Sequence, residues 1–144
     1  MAMCFVRAPR ALGITLGLAL AACGTTSSDD DSGPLVQVAE VASQSGAYEI
    51  AMLAHSPAPA RGNHSLELVV TSTQDSSPVD GLSLTLVPWM PAMGHGASVV
   101  PTVTPLGDGA YELDNVDLYM AGLWELRTTF ASPTDYAAPS VQVE

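Results

Sequence analysis

Trp124-Glu-Leu-Arg-Thr-Thr-Phe130 decides the fold: Trp124, Leu126, Thr128 and Phe130 lie on one side of an alternation, Glu125 and Arg127 on the other. A period of two belongs to a half-buried β-strand, because successive side chains leave opposite faces of the pleat. Working outward, Ser65–Thr71 repeats the period through Leu66, Leu68 and Val70, and Leu82, Leu84 and Leu86 repeat it again. Tyr111 with Leu113, and Val141 with Val143, give shorter versions, while 48–54 and 98–104 read as strands of poorer alternation. Turn-forming residues separate these runs at Pro57–Asn63, Asp75–Asp80, Gly107-Asp108-Gly109 and Ser132–Asp135. No window carries a long helical period. Short strands punctuated by Gly, Pro and Asp predict an all-β fold, an immunoglobulin-like antiparallel β-sandwich of about seven strands.

The N-terminal residues have a different character. Arg7 and Arg10 precede an apolar run, Ala11–Leu20, in a stretch without acids. Ten helical residues rise about 15 Å, half of the roughly 30 Å that a permanent span requires. Residues 1–22 therefore read as an export signal. The following Leu20-Ala21-Ala22-Cys23 resembles a bacterial lipobox. That resemblance implies lipidation of Cys23 and an extracytoplasmic, membrane-anchored lipoprotein, on the outer membrane if the cell is diderm because Gly24, not Asp, follows the Cys. Several acyl chains hold a protein stably where one is marginal.

Removal of residues 1–22 takes two of the four arginines and none of the 15 acids, in a chain that has no Lys. The two arginines that remain, Arg61 and Arg127, form no basic cluster with which to neutralise phosphates, which excludes nucleic acid as a partner. Cys4 departs with the leader and Cys23 is the lipid acceptor, so no thiol remains for a disulfide or a thiolate ligand. Gly24–Pro34 is polar and acidic without an apolar anchor, and Asp29-Asp30-Asp31 lacks the spacing of a calcium loop. A strand-like pattern sets in from about Leu35. The organisation expected is a signal at 1–22, a lipidated Cys and acidic flexible tether at 23–44, and the sandwich at 45–144.

Val87-Pro-Trp-Met-Pro-Ala-Met-Gly-His-Gly96 is the unusual stretch. Pro88 and Pro91 stiffen the backbone, and Gly94 and Gly96 let it turn around His95. Met90, Met93 and His95 form a Met-x-x-Met-x-His set of neutral, soft or borderline donors, which favours Cu(I) over hard cations. Met120 is a candidate fourth ligand, in a second turn that enters a strand. The same residues serve equally as a packed plug: Met fills core gaps, and Trp89 and Trp124 are large enough to organise one end of a sandwich. His55 and His64 adjoin Pro- and Asn-containing turns and read as exposed.

Three stretches, Trp89-Met-Pro-Ala-Met-Gly-His-Gly96, Gly107-Asp-Gly-Ala-Tyr-Glu112 and Leu118-Tyr-Met-Ala-Gly-Leu-Trp-Glu-Leu126, resemble the signature stretches of YtkA-like and FixH-type domains over roughly Gly46–Phe130. The resemblance implies an extracytoplasmic immunoglobulin-like sandwich whose relatives occur beside copper export or cytochrome oxidase assembly. It carries over to Met90, Met93, His95 and Met120 as metal candidates and to Trp89, Tyr111, Gly122 and Trp124 as structural motif residues. The chain departs from the membrane-embedded FixH type by lacking a retained transmembrane helix.

Enzymatic motifs are absent: there is no Gly-x-Ser-x-Gly and no phosphate loop, and the acids scatter along turns and exposed faces. The functional expectation is a non-enzymatic, lipid-anchored binding module that handles copper(I) through its Met/His loop. The alternative is a metal-free structural or protein-interaction domain that docks a membrane protein partner in envelope or oxidase assembly.

Overall fold

The computed structural model describes residues 33–131 and 134–144, so the leader, Cys23 and most of the expected tether lie outside the described residues. Ten strands follow one another: β1 (Val36–Ala42), β2 (Tyr48–Ala54), β3 (Gly62–Ser72), β4 (Leu84–Met90), β5 (His95–Gly96), β6 (Thr102–Gly107), β7 (Ala110–Leu118), β8 (Gly122–Ala131), β9 (Thr134–Ala137) and β10 (Ser140–Val143). They form two antiparallel sheets, β1-β2-β3-β7-β6 and β10-β8-β4-β5, with β9 also paired to β8. The fold is the all-β antiparallel sandwich that the alternation predicts. It has ten strands in place of about seven, because β5 and β9 carry too few residues to show a period and β1 falls in the expected tether.

Its core is the set of side chains on the two inner faces. Ile50, Met52, Leu66, Leu68, Val70, Tyr111 and Leu113 come from the first sheet, and Leu84, Leu86, Trp124, Leu126 and Phe130 from the second; all are buried. Burial of each large apolar side chain contributes about 1.5–3 kcal/mol. Thr128 occupies an inward position with no exposure, and its hydroxyl donates to the Leu126 carbonyl at 3.1 Å, so the polar group is satisfied locally.

One inward run breaks the period. Along β7, Tyr111 and Leu113 face in, yet so do Val116 and Leu118, which are out of phase by one residue. The register shifts between the His64–Val116 and Leu66–Leu113 pairs, and Asn115 between them has φ +62°. This is a β-bulge: an extra residue in the left-handed region restores the inward phase. Ser65 donates to Asp114 at 2.5 Å beside it.

Three expectations change. The tether does not extend to residue 44, because Val36–Ala42 pairs with β2 as a strand and Ser43 is buried. A bulge between Gln37 and Ala39 lets its hydrophobic residues reach the core in spite of imperfect alternation. The strand expected at 98–104 starts at Thr102 and runs to Gly107, since the chain crosses between sheets before it. Thr134 and Asp135, expected in a turn, belong to β9.

Asp135 is fixed by the turn between β1 and β2. Burial alone raises its carboxyl, but the Ser43 and Ser45 hydroxyls and the Tyr136 and Ser45 N–H groups stabilise the charged form and hold it at about 2, below the ordinary 3.8. The Ser45 hydroxyl and N–H lie 2.6 and 3.0 Å from its oxygens. A carboxylate depressed on folding stabilises the native state above its unfolded pKa, and that contribution disappears as pH falls through the folded value. The thermal midpoint should therefore fall more steeply between pH 3.8 and about 2 in the native sequence than in Asp135→Asn. Equal slopes in a pH series of thermal melts would remove this role.

Candidate functional site

The Met/His segment is the tip of a short hairpin. β4 ends at Met90, Pro91–Gly94 makes the turn, and β5 returns so that Met90 pairs with His95 and Trp89 with Gly96. The Met90 carbonyl accepts from the N–H groups of both Met93 and Gly94, at 3.2 and 3.0 Å, and Gly94 has φ +68°. Gly96 is required by close approach: an added Cβ would lie 2.7 Å from the Pro88 carbonyl oxygen. That same carbonyl accepts the Ala97 N–H at 3.0 Å, so the return strand is held tightly on β4.

The loop between β7 and β8, residues 119–121, lies against this hairpin. Tyr119 Oη is 3.0 Å from His95 Nδ1, and the two rings lie parallel with centroids 6.2 Å apart. Tyr119 also meets Trp124 edge-on at 5.3 Å. Trp124 is fully buried and donates its Nε1–H to the Met120 carbonyl at 2.9 Å. Gly122 backs the Met90 methyl; a Cβ there would come within 2.8 Å of it. The two loops are thus one unit, built on the buried Trp124.

The four proposed ligands meet this unit unequally. Met93 is 53% exposed at the turn and His95 is exposed beside it. Met120 is half-buried, and Met90 is sealed at 3% exposure. His95 Nδ1 lies 3.0 Å from Tyr119 Oη, a hydroxyl that can donate or accept, and 3.4 Å from the Gly96 carbonyl, which only accepts. A proton on Nδ1 satisfies the Gly96 carbonyl and leaves the Nε2 lone pair for a metal, one of the two tautomers that metal-binding imidazoles use. Among the described residues, no group of three or more His, Cys, Asp or Glu gathers to hold a metal. Thioether and imidazole donors at this hairpin are therefore the chemistry available, and they fit Cu(I) and not a hard cation.

The motif residues divide in the same way. Trp124 and Gly122 support the site. Trp89 is half-buried, with the Arg127 guanidinium 4.4 Å over its ring and that guanidinium paired to Glu125 at 2.9 Å. Tyr111 is far from the hairpin: it lies near the start of β7, where its hydroxyl donates to the Val79 carbonyl at 2.8 Å and accepts from the Leu82 N–H at 3.2 Å. Sequence reading missed Tyr119 and Arg127. Tyr119 sits inside the quoted stretch beside Met120, but its contact with His95 spans 24 residues, and no spacing rule reveals it.

His55 and His64 are half-buried, not exposed, and each ring contacts a backbone carbonyl: Gly33 at 2.6 Å and Ala60 at 2.7 Å. They line a cleft of about 420 Å³ formed by the β2–β3 connection together with Pro59, Arg61 and Asn63. That cleft is separate from the Met/His hairpin.

Comparison with curated proteins and with solved structures finds no match. A family model described as YtkA-like matches residues 39–129, from within β1 nearly to the end of β8, and so includes the hairpin and the loop that supports it. On that match, the chain belongs to the YtkA-like family.

Proposed function

We propose that this YtkA-like domain is a lipid-anchored, extracytoplasmic, non-enzymatic binding module that handles Cu(I) through the Met/His hairpin. The observation that carries the reading is His95: it is exposed two residues from the exposed Met93, and Tyr119 Oη lies 3.0 Å from its Nδ1, which leaves Nε2 as the nitrogen available to a metal. Thioethers bind without losing a proton and are not consumed by disulfide formation, which suits an oxidising compartment. Cu(I) bound there would be held by Met93 and His95, with the half-buried Met120 as a further donor, while Met90 would have to leave its buried position to take part. The lipobox-like Leu20–Cys23 supports the anchor.

The test is anaerobic Cu(I) titration against a competing chelator. It uses the leaderless chain with Cys23→Ser, which removes a thiol that would itself take copper. Met90→Leu/Met93→Leu/His95→Ala should fall to the chelator-limited background. Tyr119→Phe, which loses the group that orients the ring, should weaken retention on the order of 10-fold. Equal weak retention by parent and triple variant would overturn the metal reading. A metal-free docking domain is the second reading, favoured by the 3% exposure of Met90, and that outcome would leave it standing. For the anchor, Cys23→Ser in the full chain should move the protein from the membrane pellet to the soluble fraction; a variant that still pellets contradicts it.

A further inference from the structure

The two ends of the sandwich differ in charge and in exposed apolar surface. At one end lie the β4–β5 hairpin, the 119–121 loop and the β2–β3 connection, because Gly62 pairs with Leu118 and the far end of β4 pairs with Glu125. The chain also enters the fold here: Val36 pairs with Ala54, and the Gly33 carbonyl meets His55. The three connections at this end, His55–Arg61, Pro91–Gly94 and Tyr119–Ala121, contain no acid. Around them, Glu67 and Glu112 line a pocket with His55, and Glu125 lies opposite Trp89, paired to Arg127. Asp117 and Glu144 adjoin the loops, with Arg61 and three imidazoles at the same end. At the opposite end stand Glu49, Asp75, Asp80, Asp108 and Asp135. Exposed apolar side chains at the entry end include Met93 at 53%, Tyr119 at 40% and Leu123 at 51%. Val99 and Val100 are exposed on the crossover from β5 to β6, and Val87 on β4. Leu106 is exposed at the other end, among the acids of that pole.

We propose that the Met/His end of the sandwich lies against the phospholipid surface, with the acidic end turned away from it. The proposal rests on the anchored reading of Cys23. From Cys23 to Gly33 the chain spans at most about 35 Å, and the long strand β3 is itself about 36 Å. A tether of that reach lets the domain turn over, so attachment alone does not fix which end touches the bilayer. Charge does: anionic headgroups repel the acid-rich end within a screening length of about 8 Å at physiological salt. The acid-poor end approaches with less of that cost, and its exposed Met93, Tyr119 and Leu123 enter the interfacial zone, where amphipathic aromatics are favoured.

The experiment uses the full chain, processed and lipidated in the cell, in phosphatidylethanolamine/phosphatidylglycerol vesicles. One environment-sensitive fluorophore is placed on Ala121→Cys, an exposed loop position that spares the donors, and in a second protein on Gln74→Cys at the acidic end. The expected result is a blue-shifted label at 121 quenched by a headgroup nitroxide lipid, a label at 74 that is neither, and loss of the difference in Leu123→Glu. Equal quenching at both positions, stronger quenching at 74, or a difference that survives Leu123→Glu in full overturns the orientation. A chain that fails to float with vesicles overturns the anchor and this proposal with it. Copper titration is untouched by either failure, so the metal reading is judged separately.

Discussion

Trp124→Ala is expected to destabilise the domain by about 3–5 kcal/mol, a large share of the roughly 5–15 kcal/mol that holds a domain of this size. Trp124 is completely buried on β8 and is the largest buried side chain among the described residues. Truncation removes its apolar area and leaves a cavity that the rigid sheets close only in part. The Met120 carbonyl loses the indole donor, and the Tyr119 ring loses its edge contact. The damage therefore reaches His95, whose orientation depends on Tyr119. Urea unfolding of the Cys23→Ser chain, followed through Trp89 fluorescence, measures the loss. Trp124→Phe keeps most of the packing and forfeits the hydrogen bond, so its midpoint should fall between those of the parent and the Ala variant. A Trp124→Ala midpoint indistinguishable from that of the parent would mean that the core is organised elsewhere.

The second large effect is expected at Gly109→Ala, about 3 kcal/mol or more from left-handed strain and overpacking together. Gly109 has φ +75°, and a Cβ there would lie 2.5 Å from the Val70 carbonyl oxygen and 3.0 Å from Pro78 Cβ. Neither obstacle is a flexible side-chain end. That carbonyl also accepts the Val79 N–H at 3.0 Å, the Gly109 N–H donates to Asp80 at 2.8 Å, and the Gly109 carbonyl accepts the Val70 N–H. One methyl group thus presses on the joint that fastens the β3–β4 connection to β7. Asp108→Gly, next door at φ +53°, relieves strain and is a suitable contrast. If Gly109→Ala melts within a degree or two of the parent, the turn has more freedom than this packing allows.

The strands legible in the sequence are those with one buried face and regular alternation. β8 is the clearest, since Trp124, Leu126, Thr128 and Phe130 all point inward as the period demands. β1 and the second half of β7 were obscured for one reason: each contains a bulge, and one extra residue inverts the phase of everything beyond it. β5 has only two residues and is made by the turn chemistry of Pro91–Gly94, so no periodicity could announce it. At the site, the turn was legible because Gly and Pro act through local backbone sterics. Its contacts were not: Met90 with Gly122 and His95 with Tyr119 depend on how two loops from distant parts of the chain are brought to one end. Burial of Met90 was equally hidden, because a methionine at a strand end reads the same whether it seals the core or faces water.

Both sheets finish in strands unsuited to recruiting a neighbour. β1 is bulged after Gln37; β6 carries Pro105, with a register break after it; β5 is two residues long; and β9 and β10 divide the remaining border into four-residue pieces. Growth of an intermolecular cross-β ladder needs a long, regular row of free amide and carbonyl groups. None of these bordering strands supplies one, so each is a poor template for polymerisation of copies into fibrils at high local density.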